Sequence, residues 1–296
     1  MTDIHGVCPI VATPFTESDA VDLESLRSLV ATLSEEACEA VTLFGVYGEF
    51  YKLSDDEKRS MVDVAADQLD GDATQLVVSV TEDATTTAVE HASAAEAAGA
   101  DCLMVLPPSM LDPSPETQFD YVRAIDRAVD IPLILQYRPE MTGGASIAQL
   151  VDLVETADGV RYLKVESTPA GPTITRLLRE SARDVGVLEG FAGVHMIEAL
   201  DRGACGVMPG SAFVGLYRRI YDAYRRGDRE RARDLHNVFV PLLNHLRQSA
   251  PMLLHYEKRV LVDRGIIETA RCRQPAYAPD EYADRLFDEL RDRIEI

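Results

Sequence analysis

The stretch QLVVSVTEDATTTAVEHASAAEAAGADCLMVLPP, residues 75–108, contains one complete copy of the unit from which the chain is built. Its ends, QLVVSV (75–80) and DCLMVLPP (101–108), are short apolar runs without polar alternation, the pattern of strands buried on both faces of a parallel sheet. Between them, residues 84–98 read as an amphipathic helix that Gly99-Ala100 stops just before the next strand. The alternation recurs in both directions. Strands are expected at 7–15, 39–45, 75–80, 101–108, 131–137, 160–166, 185–190 and 205–210, and helices at 22–34, 55–69, 84–98, 115–128, 146–156, 171–183, 193–202 and 212–226. Ser54 ahead of Asp55-Asp56-Glu57, and Ser114 ahead of Pro115, are N-cap signals for two of these helices. Eight strand-helix units are the number that closes a (β/α)8 TIM barrel. Beyond residue 227 the periodicity is helical only (229–247, 250–264, 279–292), so a barrel over 1–227 and a C-terminal helical extension packed on it over 228–296 are expected.

Composition narrows the functional classes. The 296 residues are 46% hydrophobic and 27% charged, which describes a globular chain with a sizeable core. No run approaches the ~20 apolar residues of a membrane helix, and MTDIHGVCPI lacks the basic and apolar regions of a signal peptide. The cytoplasm is the expected location. Against 50 Asp+Glu stand 29 Lys+Arg, a net charge of −21, and only Lys52, Lys58, Lys164 and Lys258 are lysines. Such a surface repels phosphate backbones and anionic lipids, which argues against nucleic acid and membrane partners. Few lysines among many acids point to adaptation to high salt, where screening removes self-repulsion, with an ordinary acidic protein as the alternative. Cys8, Cys38, Cys102, Cys205 and Cys272 are widely spaced with no CxxC pair, and the histidines form no HExxH or HxH pattern. Reduced thiols, no metal and no cofactor are the expectation.

In a barrel of this kind, chemistry sits at the C-terminal ends of the strands. The second strand runs into Gly45-Val46-Tyr47-Gly48-Glu49, a tight turn whose backbone N–H groups can face an anion such as a carboxylate; a plain strand-to-helix turn is the other reading. On the sixth strand, Lys164 and Glu166 are two residues apart and share a face. An amine at a barrel mouth can attack a carbonyl, whereas a structural Lys164–Glu166 ion pair is the competing interpretation. Tyr137, at the end of the adjacent fifth strand, can bring a phenol toward Lys164, or be a packed aromatic.

These positions together resemble the dihydrodipicolinate synthase / N-acetylneuraminate lyase superfamily of class I Schiff-base lyases. The resemblance spans essentially the whole chain: Pro14-Phe15, Gly45-x-x-Gly48-Glu49 followed by Leu53-Ser54 and Glu57, Tyr137 with Thr142-Gly143, Lys164, and Gly203-Ala204-Cys205-Gly206-Val207-Met208. It implies a Schiff-base role for Lys164, a proton-relay role for Tyr137, and a keto-acid carboxylate site at the Val46 and Tyr47 N–H groups. It also implies a homotetramer, and the apolar Leu242-Leu243 and Leu246 need a partner surface or the chain's own barrel.

Departures from the synthase pattern point within the superfamily. Val46-Tyr47 stand where synthases carry two hydroxyl residues, Pro108-Ser109 replace a tyrosine pair, and Met141 replaces an arginine unless Arg138 substitutes for it. Gly48-Glu49-Phe50, Lys164-Val165-Glu166, Gln136 and Met208-Pro209-Gly210 resemble members acting on 2-keto-3-deoxy sugar acids, particularly dehydratases. The leading expectation is therefore a lyase that joins Lys164 to the C2 carbonyl of a 2-keto acid, as dehydratase or aldolase, with Glu166 handling a proton. Dihydrodipicolinate synthesis from pyruvate and an aspartate-derived semialdehyde is the second. A non-catalytic barrel holding an anion at the Gly190–Gly193 and Pro209-Gly210 loops is the third.

Overall fold

The computed structural model describes residues 3–140 and 143–294. Its elements run β1 (Gly6–Val7), α1 (Leu23–Glu35), β2 (Ala40–Leu43), α2 (Asp55–Leu69), β3 (Gln75–Val80), α3 (Thr85–Ala97), β4 (Cys102–Val105), α4 (Pro115–Asp126), β5 (Leu133–Tyr137), α5 (Ile147–Thr156), β6 (Val160–Val165), α6 (Ala170–Glu180), β7 (Gly186–Glu189), α7 (Met196–Asp201), β8 (Gly206–Val207), α8 (Val214–Arg225), α9 (Arg229–Leu246), α10 (Ala250–Asp263) and α11 (Glu281–Arg291). The strands form one sheet in the order β1-β8-β7-β6-β5-β4-β3-β2, the sequential order of a (β/α)8 TIM barrel, and helices alternate with them. Three further helices follow α8.

Local chemistry explains where elements start and stop. At α2 the Ser54 N–H donates to Glu57 Oε2 at 2.9 Å, while the Glu57 N–H donates to Ser54 Oγ at 3.3 Å. Ser146 and Gln149 make the same reciprocal pair at α5. Each such cap contributes roughly 0.5–2 kcal/mol. The first and last strands are shorter than their apolar runs because Pro9 and Pro209 have no N–H to give to a ladder. Past Pro9 the pairing survives as single bridges from Ile10 to Thr42 and to Gly210.

The residues fall into two compact units, Met1–His5 with Gln75–Met208, and Gly6–Thr74 with Pro209–Ile296. In the first, β3 to β8 pair in parallel, matching Ser79 with Met104, Met104 with Ile134, Gln136 with Lys164, Lys164 with Leu188, and Leu188 with Gly206. Partners in register point to the same side of a sheet, so these residues share one face. Gly186 and Gly190 belong to it: a Cβ at Gly186 would lie 2.4 Å from the Tyr162 ring, and one at Gly190 would lie 2.3 Å from Glu166 Cγ. Glu189 points the other way, accepting the His195 N–H at 3.4 Å just ahead of α7. The Lys164 face is thus the one turned from the helices.

In the second unit Tyr256 stacks on Phe287 at 4.3 Å, and Tyr217 meets Phe239 edge-on at 5.0 Å. Leu242, Leu243 and Leu246 are buried here within the chain itself, so they supply no argument for an interface. Glu257 of α10 is also fully enclosed. Its carboxyl accepts from the Ser211 backbone and lies where a Cβ on Gly210 would stand, so only glycine fits after Pro209. Burial, opposed by that one hydrogen bond, pushes the Glu257 carboxyl up to about 8. Its folded pKa lies above the ordinary carboxylate value near 4.5, so the native state holds a proton the unfolded chain has released. Stability from this group is complete below pH ~4.5 and is lost as pH rises toward about 8. Glu257→Gln keeps the shape without the titration. Thermal unfolding between pH 5 and 8 is expected to show a flatter loss of midpoint for the variant; parallel curves would contradict the assignment.

Candidate active site

The candidate site in the first unit is built on neighbouring strands. Lys164 on β6 is 4% exposed, with its Nζ 3.3 Å from Glu166 Oε1. Glu166 Oε2 accepts from Gln136 Nε2 at 2.8 Å, and Glu166 is itself buried. Both carboxylate oxygens are therefore held, one by an ammonium and one by an amide. Burial by itself would raise the Glu166 carboxyl, but Lys164, the Gln136 hydrogen bond and Arg138 together hold it below the usual carboxylate range. At neutral pH it is an anion beside a primary amine.

Tyr137 is not on this face. In the β5–β6 register it pairs with Val165, while Gln136 pairs with Lys164. Its hydroxyl donates to Ala145 O at 2.9 Å, tying the end of β5 to the segment that leads into α5. The polar group that the structure sets opposite the amine is thus the Gln136 amide, one residue before the phenol that the sequence suggested. Tyr137→Phe removes only the hydrogen bond to Ala145. It is expected to cost about 0.5–1.5 kcal/mol of stability and to leave kcat within about threefold, as denaturant titration and initial rates would show. A drop in kcat on the order of 10²-fold or more would return the phenol to the proton relay.

Other expected positions are placed as follows. Met208 follows β8 by one residue, and its N–H donates to Glu189 O at 2.9 Å, which continues the β7–β8 ladder to the strand end. Arg138 follows β5, 3.9 Å from Glu140, and its charge acts on Glu166. Met141 and Thr142 lie outside the described residues. In the second unit, Gly45 precedes a 3-10 turn over Val46–Gly48, closed by the Gly48 N–H donating to Gly45 O at 2.8 Å. A Cβ at Gly45 would lie 2.7 Å from Ile10, and one at Gly48 would lie 3.0 Å from Val11 O, so both glycines answer to close backbone approach. Val46 and Tyr47 open this turn and are half-buried.

Two residues escaped the sequence reading. In the sequence Gln136 stands out only as a subgroup marker, whereas its place in the register makes it the partner of Glu166. Lys258 looks like any charged position on a helix, yet it is fully buried against Glu49. The signal available for it was weak: a chain with four lysines placing one among the apolar residues of α10.

Comparison with known proteins identifies the family. The model of the "Dihydrodipicolinate synthetase family" matches residues 3–290. An L-2-keto-3-deoxyarabonate dehydratase of Azospirillum brasilense is 24% identical over 288 residues, covering 95% of this chain and 92% of its own. A 4-hydroxy-tetrahydrodipicolinate synthase of Methanopyrus kandleri is 30% identical over 246 residues, covering 81% and 80%. Among solved structures, dihydrodipicolinate synthase from Rhodopseudomonas palustris superposes with a TM-score of 0.90 at 26% identity, over 98% of this chain and 97% of that one. No helix among the described residues is long and apolar enough to cross a membrane. With a family match over nearly its whole length and the barrel that goes with it, the chain belongs to the dihydrodipicolinate synthetase family.

Proposed function

We propose that the protein is a lyase that forms an imine between Lys164 and the C2 carbonyl of a 2-keto-3-deoxy sugar acid and eliminates water from it. The observation that carries this reading is the Gln136–Glu166–Lys164 arrangement, which places an ionised carboxylate beside the amine. Lys164 gives up a proton, attacks C2, and the carbinolamine loses water to leave a protonated imine. That cation draws electrons from the C3–H bond. Glu166 takes the C3 proton as general base, giving an enamine, and the C4 hydroxide departs with a proton that Glu166 can return. Tautomerisation and hydrolysis then release the dicarbonyl acid, a keto-semialdehyde when the substrate is a pentonate, and restore the amine. Gln136 holds Glu166 in place through the cycle. The Val46 and Tyr47 N–H groups keep the role the sequence suggests for them, as the site for the acid's carboxylate, and Met208 that of a substrate contact. The dehydratase relative, aligned over 95% of the chain, supports the choice of substrate class.

A second reading, condensation of pyruvate with an aspartate-derived semialdehyde, is favoured by the synthase relative at 30% identity. Product analysis separates the readings. A 2-keto-3-deoxy pentonate should be consumed to a keto-semialdehyde, and a hexonate to a diketo acid, without pyruvate. Release of pyruvate with a shorter aldehyde would make the enzyme an aldolase, and efficient cyclisation of pyruvate with the semialdehyde would make it a synthase.

The proposal extends to a cytoplasmic homotetramer suited to high salt, supported by the family resemblance and by the net charge of −21. Light scattering and activity in concentrated salt against dilute buffer test it; a monomer that is fully active in dilute buffer would contradict it.

A further inference from the structure

Residues 217–234 carry seven arginines against four acidic residues, in a chain whose net charge is −21. The segment covers most of α8, the turn after it and the start of α9, all within the second unit. Some of that charge is answered locally: Arg218 pairs with Glu39 and, at 3.2 Å, with Asp222, and Arg229 lies 4.1 Å from the centre of the Tyr224 ring. Arg219 and Arg231 line a cavity of about 210 Å³ between α8, α9 and the residues that follow α11. Helix spacing brings them there. Leu216 and Arg219 are three apart on α8, and Arg231, Asp234, Leu235 and Val238 recur every three or four residues on α9, so each helix turns one stripe toward the space. Arg293, just past α11, is the third arginine of the lining.

These side chains decide what fits. Three guanidinium groups against the one Asp234 carboxylate leave an excess of positive charge, and among the described residues neither Arg231 nor Arg293 has an ion-pair partner. A guanidinium matches the two oxygens of a carboxylate bidentately, and its charge is fixed at any working pH. Leu216 and Leu235 add an apolar wall, with Val238 47% exposed beside it. An inorganic anion would leave that wall in water, whereas a short methylene chain covers it. The space is smaller than the ~300–1,000 Å³ pockets of drug-sized ligands, which excludes a nucleotide. We propose that this cavity is a binding site for a small organic dianion, a dicarboxylate held by Arg219, Arg231 and Arg293 with its methylenes on Leu216 and Leu235. None of the lining residues belongs to the candidate active site, and the inference stands without the imine reading.

The test is calorimetric titration with glutarate at an ionic strength that keeps the protein folded, with pentanoate as the singly charged probe of the same length and glutaramide as the neutral one. Glutarate should fill one saturable site per chain that pyruvate does not displace, pentanoate should bind at least about 10-fold more weakly, and glutaramide should not bind. Arg231→Gln and Arg293→Gln should each weaken glutarate about 10–100-fold, the range of a lost charged hydrogen bond. Asp234→Asn removes the opposing charge and should tighten it about 2–5-fold. Arg226→Gln, in the same basic stretch but outside the cavity, should change it less than about twofold. All four positions are exposed, so the variants should fold, as circular dichroism would verify, and if one of the two cavity arginines proves necessary for folding the other decides. No saturable binding by wild type, displacement by pyruvate, or an equal loss in Arg226→Gln would overturn the proposal, the last by reducing it to attraction toward a basic surface. Binding that emerges only once residues 295–296 are removed would overturn it too, with the segment after Ile294 as the occupant.

Discussion

Lys164→Arg is expected to fold like wild type and to lose turnover by more than ~10⁴-fold, with no adduct on any substrate. Arginine keeps a positive charge near Glu166, so the buried carboxylate at 3.3 Å is not left unpaired. Lys164→Ala is a poorer test, since removing one partner of a buried pair costs about 3–5 kcal/mol and confuses loss of chemistry with loss of fold. A guanidinium stays protonated at any working pH and has no lone pair to attack a carbonyl. Circular dichroism and thermal melting establish the fold, and initial rates give the loss. Retained activity would mean that the amine is only an ion-pair partner.

Glu166→Gln should lower kcat by a factor on the order of 10²–10⁴, the range for losing a general base, while leaving the imine able to form. The signature is therefore a split: a trapped Lys164 adduct at near wild-type yield, with product formation all but absent. Because Lys164 and Gln136 hold Glu166 below the usual carboxylate range, the wild-type rate should stay level from neutral pH down through the ordinary carboxylate pKa and fall only beneath it. Gln136→Leu removes the amide that grips Oε2 and should shift that acid limb upward. An acid limb unmoved in Gln136→Leu, or a fully active Glu166→Gln, would remove the carboxylate from the proton-transfer step.

The barrel was legible because each strand is a short apolar run and each helix carries its own start and stop. β3 and α2 match the expected 75–80 and 55–69, where QLVVSV has turn signals on both sides and Ser54 begins a capping box. β1 was over-read because the run from 7 to 15 looks apolar throughout, while Pro9 breaks its hydrogen bonding. Lys164 and Glu166 could be paired from sequence, since residues two apart on a strand share a face. The choice between Gln136 and Tyr137 could not be made that way. β5 is buried on both faces, so Ile134-Leu135-Gln136-Tyr137 shows no alternation to say which side chain faces β6. That is decided by the register, and a one-residue difference exchanges an amide for a phenol beside the amine. Glu257 and Lys258 were hidden for a related reason. Adjacent charges on a helix read as a solvated face, and only packing reveals that one is enclosed against Gly210 and the other against Glu49.

Lys164 as the nucleophile is the central claim, and one measurement reaches it. The protein is incubated with a 2-keto-3-deoxy pentonate, reduced with borohydride, digested, and mapped by peptide mass spectrometry. A single reduced adduct on Lys164, diminished by competing pyruvate and absent from Lys164→Arg, is expected. An unmodified Lys164, or labelling confined to Lys52, Lys58 or Lys258, would contradict it.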